Sequence, residues 1–422
     1  MRPQSTAATA APVAREHVTS GAPASTAVPQ ATAIGVPLAQ PGYTLPKAPA
    51  PVTVAAPAPA SRPVLVSQPP AVEPAADVVE PPDRAIRVGQ IVCWQLAVVA
   101  IGAATAGTRT VLILTSLAAV SLVLLTAIRI RGVWLYRWAA VLLVFLGRRR
   151  RIDLGKGVAI NLVSAFHGRT TVDAVVVRDQ PYGMLSRPTG ASVALRLGPD
   201  AQHQVLDNLG SLAEAEHPTD VAVQLVLHTG VKQNQPPRAW IAVAAERTPD
   251  IATDDQLRQV LANTVRRLVR RFDREQVESL PLDETDVLAS LGALAHANAG
   301  RGRIHERWST WACGPVQQLC VRLTGSAFLP AATVRALAAT LLGTGTGAAQ
   351  TLAVTVTTGA GRTTPIRHDV VLRLAASHPA TLDTAYSILT TLARSFGVEP
   401  ERLDGRHATG VAATLPLGVP LS

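Results

Sequence analysis

The sequence has 422 residues, with 39 Lys and Arg against 29 Asp and Glu, a formal net charge of +10 and a mean hydropathy of +0.23. Its length predicts two or three modules, at roughly 150 residues per domain. Three scattered cysteines exclude a disulfide-stapled scaffold and predict buried thiols. Many arginines flank apolar segments, which favours an anionic lipid surface over nucleic acid as the partner.

Residues 1–82 are rich in Pro, Ala, Val, Thr and Ser. Proline at this density interrupts helices and sheet ladders, and few large apolar residues are present to offset the entropy of ordering. The region has no apolar segment near Met1 of the kind that marks a cleavable signal peptide. We therefore predict a disordered tail, partly in the polyproline-II conformation.

Residues 83–130 contain two apolar segments, at about 88–106 and 110–128. Each approaches the roughly 20 apolar residues that a helix needs to cross a hydrocarbon core of about 30 Å. Arginines flank the pair on both outer sides, and only Arg109 lies in the connection. Because positive charge stays on the cytoplasmic side, the pattern predicts a two-span hairpin in the plasma membrane with both termini cytoplasmic.

A third apolar segment lies within 131–151 and ends in a run of arginines. Its apolar part, 133–147, would reach only about 22 Å as a helix, so it is too short to span a bilayer. Aromatic residues at its start are typical of a membrane interface, and we predict a basic interfacial helix on the cytoplasmic face. The residues predicted to set the topology are Arg129, Arg131, Trp134, Tyr136, Arg137, Trp138, Arg148, Arg149, Arg150 and Arg151.

Residues 152–422 predict a cytoplasmic α+β domain. In each of two regions, 221–272 and 352–396, two strand patterns precede an amphipathic helix, and similar sequence follows that helix. An internal duplication of strand–strand–helix units is one interpretation. Threonines alternate with apolar residues in the strand at 352–359, which predicts one buried and one solvated face. We therefore expect an antiparallel or mixed sheet with helices on one face.

The sequence predicts no catalytic, cofactor-binding or metal-binding residues. The GTGTG at 343–347 lacks the Lys-Ser/Thr of a phosphate loop and follows a helix, so we interpret it as a helix C-cap and loop. The ten histidines lack metal-ligand spacing. Asp254 and Asp255 open a predicted helix, where the helix dipole favours acidic residues.

The helix predicted at about 254–272 carries a row of arginines that leaves two interpretations open. Such a row is usually a solvated face, and the alternative is docking onto an acidic partner or the membrane. The arginines are Arg258, Arg266, Arg267, Arg270, Arg271 and Arg274.

The order of these parts resembles the EccE family, a membrane component of actinobacterial type VII (ESX) secretion systems. The resemblance covers about 88–419 and rests on RGVWLYRW at 131–138, ERWSTWACG at 306–314 and RLDGRHATGVAATLPLG at 402–418. It implies a non-catalytic subunit of a plasma-membrane secretion complex, with EccB, EccC and EccD as partners. The long N-terminal tail departs from the shorter N-termini expected of that family.

The sequence thus favours a structural or assembly subunit that contacts anionic phospholipid and uses no cofactor. The alternative is a membrane-anchored transferase acting on a lipid-linked or nucleotide-linked substrate. Such an enzyme would need clustered acidic residues at strand ends to hold a metal and phosphates.

Overall fold

The computed structural model describes residues 88–130, 133–213, 221–232, 235–298, 302–357 and 367–421. The predicted tail at 1–82 lies outside the described residues, as does Arg131. The described chain is a mixed α+β protein in which three apolar helices precede one large antiparallel sheet.

The apolar helices are separated by short connections. The Thr108 side chain accepts a hydrogen bond from the Val111 backbone amide and caps the start of the second helix. A pair of two-residue antiparallel strands precedes the third helix. These elements are α1 Val88–Ala104, α2 Arg109–Ala127, β1 Arg129–Ile130, β2 Val133–Trp134 and α3 Leu135–Gly147.

The rest of the described chain alternates strands and helices. Its first part comprises β3 Arg151–Asp153, α4 Val158–His167, β4 Thr171–Val177, β5 Gln180–Arg187, β6 Gly190–Leu197, α5 Ala201–Ala213, β7 Val221–Thr229, β8 Arg238–Glu246, α6 Asp254–Glu275, β9 Ser279–Pro281 and α7 Glu284–Leu294. Its second part comprises β10 Arg303–Glu306, β11 Trp311–Cys313, β12 Val316–Thr324, a 3-10 turn at Ser326–Phe328, α8 Ala331–Gly343, β13 Ala349–Thr357, β14 Arg367–Ala376, α9 Pro379–Ser395, β15 Glu399–Arg402 and α10 His407–Ala413.

Strands β3 to β15 form one sheet, and its pairs are antiparallel. The order across the sheet is β3-β10-β11-β12-β14-β13-β7-β8-β6-β5-β4, with β15 also beside β12 and β9 also beside β6. At the centre, β7 pairs with β13 from Ala222 opposite Thr357 to Thr229 opposite Gln350.

The two halves of the sheet, β4 to α7 and β10 to α10, have the same element order and the same pairing. The first runs β4-β5-β6-α5-β7-β8-α6-β9-α7, and the second runs β10-β11-β12-α8-β13-β14-α9-β15-α10. Within them, the neighbouring strands β9-β6-β8-β7 and β15-β12-β14-β13 match each other in position. A four-stranded unit of this order with two crossover helices is the split βαβ arrangement called ferredoxin-like.

Local sequence accounts for several element ends. Thr253 and Gln256 form a capping box at the start of α6, as their spacing predicts. Arg178 and Asp179 join β4 to β5 with φ of 52° and 63°, the left-handed conformation that a two-residue type I′ hairpin turn requires. A tight turn at Gly314 joins β11 to β12.

Helices cover both faces of the sheet, so the expectation of one covered face is wrong. Helices α5, α6, α8 and α9 pack on one face, while α4, α7, α10 and residues 414–421 pack on the other. Thr355, expected on a solvated face, is 3% exposed, and Thr351 in the same strand is also 3% exposed. The alternation of threonines with apolar residues does not indicate a solvated face here, because a small polar side chain can lie beneath covering helices when it is hydrogen-bonded. Thr351 is hydrogen-bonded in this way to His228.

One buried glutamine in β7 fixes the segment that completes the second face. Gln224 Nε2 donates to the Ala413 carbonyl oxygen at 2.6 Å, and its Oε1 accepts from the Leu417 and Gly418 amides at 3.1 and 2.8 Å. Gly418 has a φ of 65°, and a Cβ there would lie 2.6 Å from the Ala244 Cβ. The ATLPLG sequence at 413–418 is therefore a covering segment held against the sheet.

Candidate functional site

Helices α1 and α2 pack against each other as an antiparallel pair. Polar contacts join the start of α1 to the end of α2: Gln90 Nε2 donates to the Thr126 carbonyl oxygen, and Trp94 Nε1 donates to Thr126 Oγ1, both at 2.8 Å. Large apolar side chains are exposed along both helices. Among the described residues, α2 is the one helix that is long and apolar enough to cross a membrane, by length and composition, and α1 is a shorter apolar helix.

Helix α3 has two different faces. Its inner face is formed by Trp138, Val141, Phe145 and Arg148, which recur every three or four residues and contact the sheet domain. The opposite face is apolar but uncovered. Its exposed side chains are Leu142, Leu143, Val144 and Leu146, of which Leu143 is 70% exposed.

Trp308 is the centre of the contact between α3 and the sheet domain. It lies in the loop between β10 and β11, with its ring centroid 5.4 Å from that of Phe145 and 6.0 Å from that of Trp138. The Gly405 amide donates to the Trp308 carbonyl oxygen at 2.7 Å. Gly405 has a φ of 72°, and a Cβ there would lie 2.7 Å from the Trp308 ring and 2.9 Å from a Val141 methyl. Backbone conformation and close approach both require glycine at this position.

An ion pair completes the contact. Arg148 Nη2 lies 2.5 Å from Glu306 Oε1 and donates to the Gly405 carbonyl oxygen at 2.8 Å. The Glu306 side chain is 5% exposed and also accepts from the Ala408 amide at 2.9 Å. Burial raises the pKa of Glu306 above its usual value, outweighing the Ala408 amide and Arg148, which both lower it. The pair connects α3, β10 and the segment that begins α10.

The structure divides the predicted interface residues into two groups. Arg148 and Trp138 face the sheet domain, and Trp138 Nε1 donates to the Ile130 carbonyl oxygen at 3.3 Å. Trp134 is 4% exposed, and the Arg129 guanidinium carbon lies 3.6 Å from a Trp134 ring centroid, in a cation–π contact.

The second group consists of residues that are exposed or half-buried. Arg149, Arg150 and Arg151 are exposed, whereas Tyr136 and Arg137 are half-buried. Arg151 is also the first residue of β3, opposite His305 in β10, so the basic run ends inside the sheet. The prediction treated this run as one cluster, but its members point to different environments.

Sequence reasoning missed the domain side of this contact. Glu306 and Trp308 enter the sequence prediction only as members of the ERWSTWACG segment at 306–314. A signal was present in α3 itself, because an aromatic and aliphatic stripe ending in Arg148 requires a facing apolar surface and an acceptor. The acceptor, Glu306, lies 158 residues further along the chain.

The other polar residues singled out in the sequence have local roles. Asp254 accepts from the Ser186 hydroxyl at 2.7 Å and pairs with Arg247, and these contacts lower its pKa. Cys313 and Cys320 are buried thiols, and burial raises the pKa of Cys320 to about 12. Within the described parts of the chain, no group of three or more His, Cys, Asp or Glu could hold a metal ion.

For the arginine row of α6, both interpretations remain open, a solvated face and a docking surface. Arg258 pairs with Asp255, and Arg271 Nε lies 2.7 Å from Glu275 Oε1, so part of the row is engaged within its own helix. The first pair is exposed and the second is half-buried, and pairs this accessible to water contribute little stability.

No protein-family model and no curated protein matches this chain. The functional interpretation therefore rests on the geometry of the chain and on the sequence segments described above.

Proposed function

We propose that this protein is a non-catalytic, membrane-anchored assembly subunit of a type VII (ESX) secretion complex, of the EccE kind. The observation that carries the proposal is the meeting of three distant sequence segments at one contact. The segments at 131–138, 306–314 and 402–418 carry the resemblance, and they contribute Trp138, Trp308 and Gly405 to it.

Apolar exposure supports the membrane part of the proposal. Helices α1 and α2 and the outer face of α3 expose large apolar side chains, which water disfavours by about 25 cal/mol per Å². The hairpin would place two spans in the bilayer, near 88–106 and 110–128. With 17 residues, α1 is about 25 Å long, and local thinning of the bilayer can accommodate that length.

Charge supports the proposed topology and lipid contact. Arginines flank the hairpin on its outer sides, which favours cytoplasmic termini and a cytoplasmic sheet domain. Arg149 and Arg150 are exposed next to the uncovered apolar face of α3. An anionic phospholipid leaflet would bind both features at once, apolar side chains in the acyl region and guanidinium groups at the phosphates.

Internal duplication is also part of the proposal. The shared element order and pairing of the two halves support it, and so does the similarity of RRFD at 270–273 to RSFG at 394–397. A rigid two-unit sheet, oriented by the α3 contact, would then present fixed surfaces to EccB, EccC and EccD.

Co-purification tests the assembly role. The tagged full chain is extracted from membranes of its own cells in mild detergent, alongside a Gly405→Val variant and a Gly397→Val control, another left-handed glycine with open space around it. We expect the other secretion components with the unaltered chain and the control, and a loss of at least tenfold with Gly405→Val, while the chain stays in the membrane. Recovery of the unaltered chain as a lone monomer would sink the proposal. Turnover of a lipid-linked or nucleotide-linked substrate would favour the transferase instead.

Topology has a separate test. A cysteine at Asp255, whose side chain is 90% exposed, should react with an impermeant maleimide only after the cells are opened. Labelling in intact cells would place the sheet domain outside.

A further inference from the structure

A cavity of about 290 Å³ lies where the two halves of the sheet meet. The first turn of α5 and the end of β7 form one side, and α8 with the loop after it forms the other. Its volume is close to the lower end of small-molecule sites, which begin at about 300 Å³. The cavity is separate from the α3 contact, and its interpretation does not depend on the proposed function.

The cavity lining is basic. Lys232 and Arg335 line it together with His203, and the described lining contains no carboxylate. Asp207, which pairs with Arg335, is not part of the lining. Arg335 pairs with one carboxylate oxygen of Asp207, so its guanidinium keeps further N–H donors for a second anion. The first turn of α5 adds the positive end of a helix dipole.

The lining also has apolar members. Leu206, Leu227 and Leu342 contribute side chains, and Leu227 is 3% exposed. A ligand that fits both parts combines an anionic group with a flat or apolar group, because a free inorganic anion would leave the leucines without contact.

The loop with the sequence GTGTG is the fixed part of this wall. Helix α8 ends at Gly343, and Gln350 Nε2 donates to the Thr344 carbonyl oxygen at 2.9 Å and to Thr346 Oγ1 at 3.0 Å. Gln350 is 2% exposed, so these bonds hold the loop from beneath. The C-cap interpretation of the sequence is correct for α8, and the same loop also lines the cavity.

We infer that this cavity binds a small organic phosphate of mononucleotide size. The phosphate lies between Lys232 and Arg335, and the base or another flat group packs on the leucines. Binding at this place contacts both halves, so it also stabilises their packing through α5 and α8.

Calorimetric titration of the detergent-purified full chain tests the inference with AMP, GMP, CMP and UMP, and with the four corresponding nucleosides and inorganic phosphate as partial ligands. We expect at least one mononucleotide to bind with a Kd below about 1 mM, and its nucleoside and inorganic phosphate to bind at least tenfold more weakly. If no mononucleotide binds, or if phosphate alone binds as tightly, the inference is wrong.

Variants locate the binding. Gly343 lines the cavity and an added Cβ there meets nothing within 4 Å, so Gly343→Leu adds bulk at the lining without backbone strain. We expect Gly343→Leu and Lys232→Glu each to weaken binding at least tenfold. Lys156→Glu makes the same charge change at an exposed site outside the lining and should leave the Kd unchanged. Unfolding midpoints close to that of the unaltered chain show that the variants fold. Undiminished binding to folded Gly343→Leu would place the ligand elsewhere and overturn the inference.

Discussion

The two halves of the sheet share one architecture, but their connections differ in length, and two of the longer ones in the second half lie next to α3. In the first half, β4 joins β5 through the two residues 178–179, and β9 joins α7 through 282–283. In the second, the equivalent connections run over 307–310 and 403–406. These longer connections carry Trp308 and Gly405, the residues that contact α3. The surface that contacts α3 therefore lies on two connections that have four residues in the second half and two in the first, while the strand order is the same in both.

The largest expected effect is at the ion pair of the second half. Arg148→Ala leaves Glu306 buried without its cation, and breaking such a pair should lower the free energy of unfolding by about 3 kcal/mol at pH 7. The pKa of Glu306 is already raised, and the variant raises it further, so the loss should shrink as the pH falls and the carboxyl takes up a proton. Denaturant unfolding at pH 7 and pH 5 measures both effects.

Arg149→Ala is the matched control, since Arg149 is an exposed neighbour of the same type. It should change the unfolding free energy by less than about 0.5 kcal/mol. Equal losses in the two variants would mean that the pair does not hold α3 to the sheet domain.

The next largest effect on stability is expected at the pairing of β7 with β13, the seam that joins the two halves of the sheet. His228 Nδ1 lies 2.9 Å from Thr351 Oγ1 across β7 and β13. Burial first, then Arg373, His296 and Arg238, lower the pKa of His228 to about 3. The unfolded chain therefore binds the proton first, so this stability is complete above the usual pKa of 6.5 and is lost as the pH falls below it. Between pH 7 and pH 5 the loss should be about 2 kcal/mol.

His228→Gln removes that titration and keeps a polar group at the seam. Its unfolding free energy should depend on pH less steeply than that of the unaltered chain between pH 7 and pH 5. His167, whose pKa is lowered to about 4, and His368 and His407, whose pKa values burial also lowers, remain in both proteins and contribute to the residual slope. Identical slopes would show that the seam carries no buried neutral histidine.

The smallest effect belongs to the first-half turn. Arg178 Nη1 lies 2.5 Å from Asp273 Oδ2, but both side chains are about half exposed or more. Arg178→Ala should cost no more than about 0.5 kcal/mol in thermal or denaturant unfolding, because water and salt screen such a pair. A loss as large as that of Arg148→Ala would remove the asymmetry between the halves.

The sequence predicts elements well where local signals are complete. Thr253 and Gln256 locate the start of α6, and the 3.6-residue spacing of its apolar side chains predicts its length to within a turn. Strand β5 lacks a clear strand pattern because Pro181 and Gly183 interrupt it. Position 183 requires glycine, because a Cβ there would lie 2.8 Å from the Asp283 carbonyl oxygen at the start of α7.

The α3 contact could be predicted only in part, because half of it comes from residues that are distant in sequence. Charge and aromatic content identify the segment at 131–151, but the direction in which each arginine points depends on its partner. Arg148 turns inward because Glu306 and the Gly405 carbonyl lie there, and local sequence holds no information on either. The second covered face was missed likewise, because its cover comes from the seven-residue α10 and the irregular segment after it.

The bonds of Gln224 also set an order of events during synthesis. The Gly418 amide that Gln224 accepts from follows it by 194 residues, which at roughly 5–20 residues per second is about 10–40 s of translation. Until residues 413–418 are made, the part of the second face around Gln224 lacks its covering segment. A nascent chain released before residue 418 would keep this part exposed, so quality control would recognise it by the same surface that residues 413–418 normally cover.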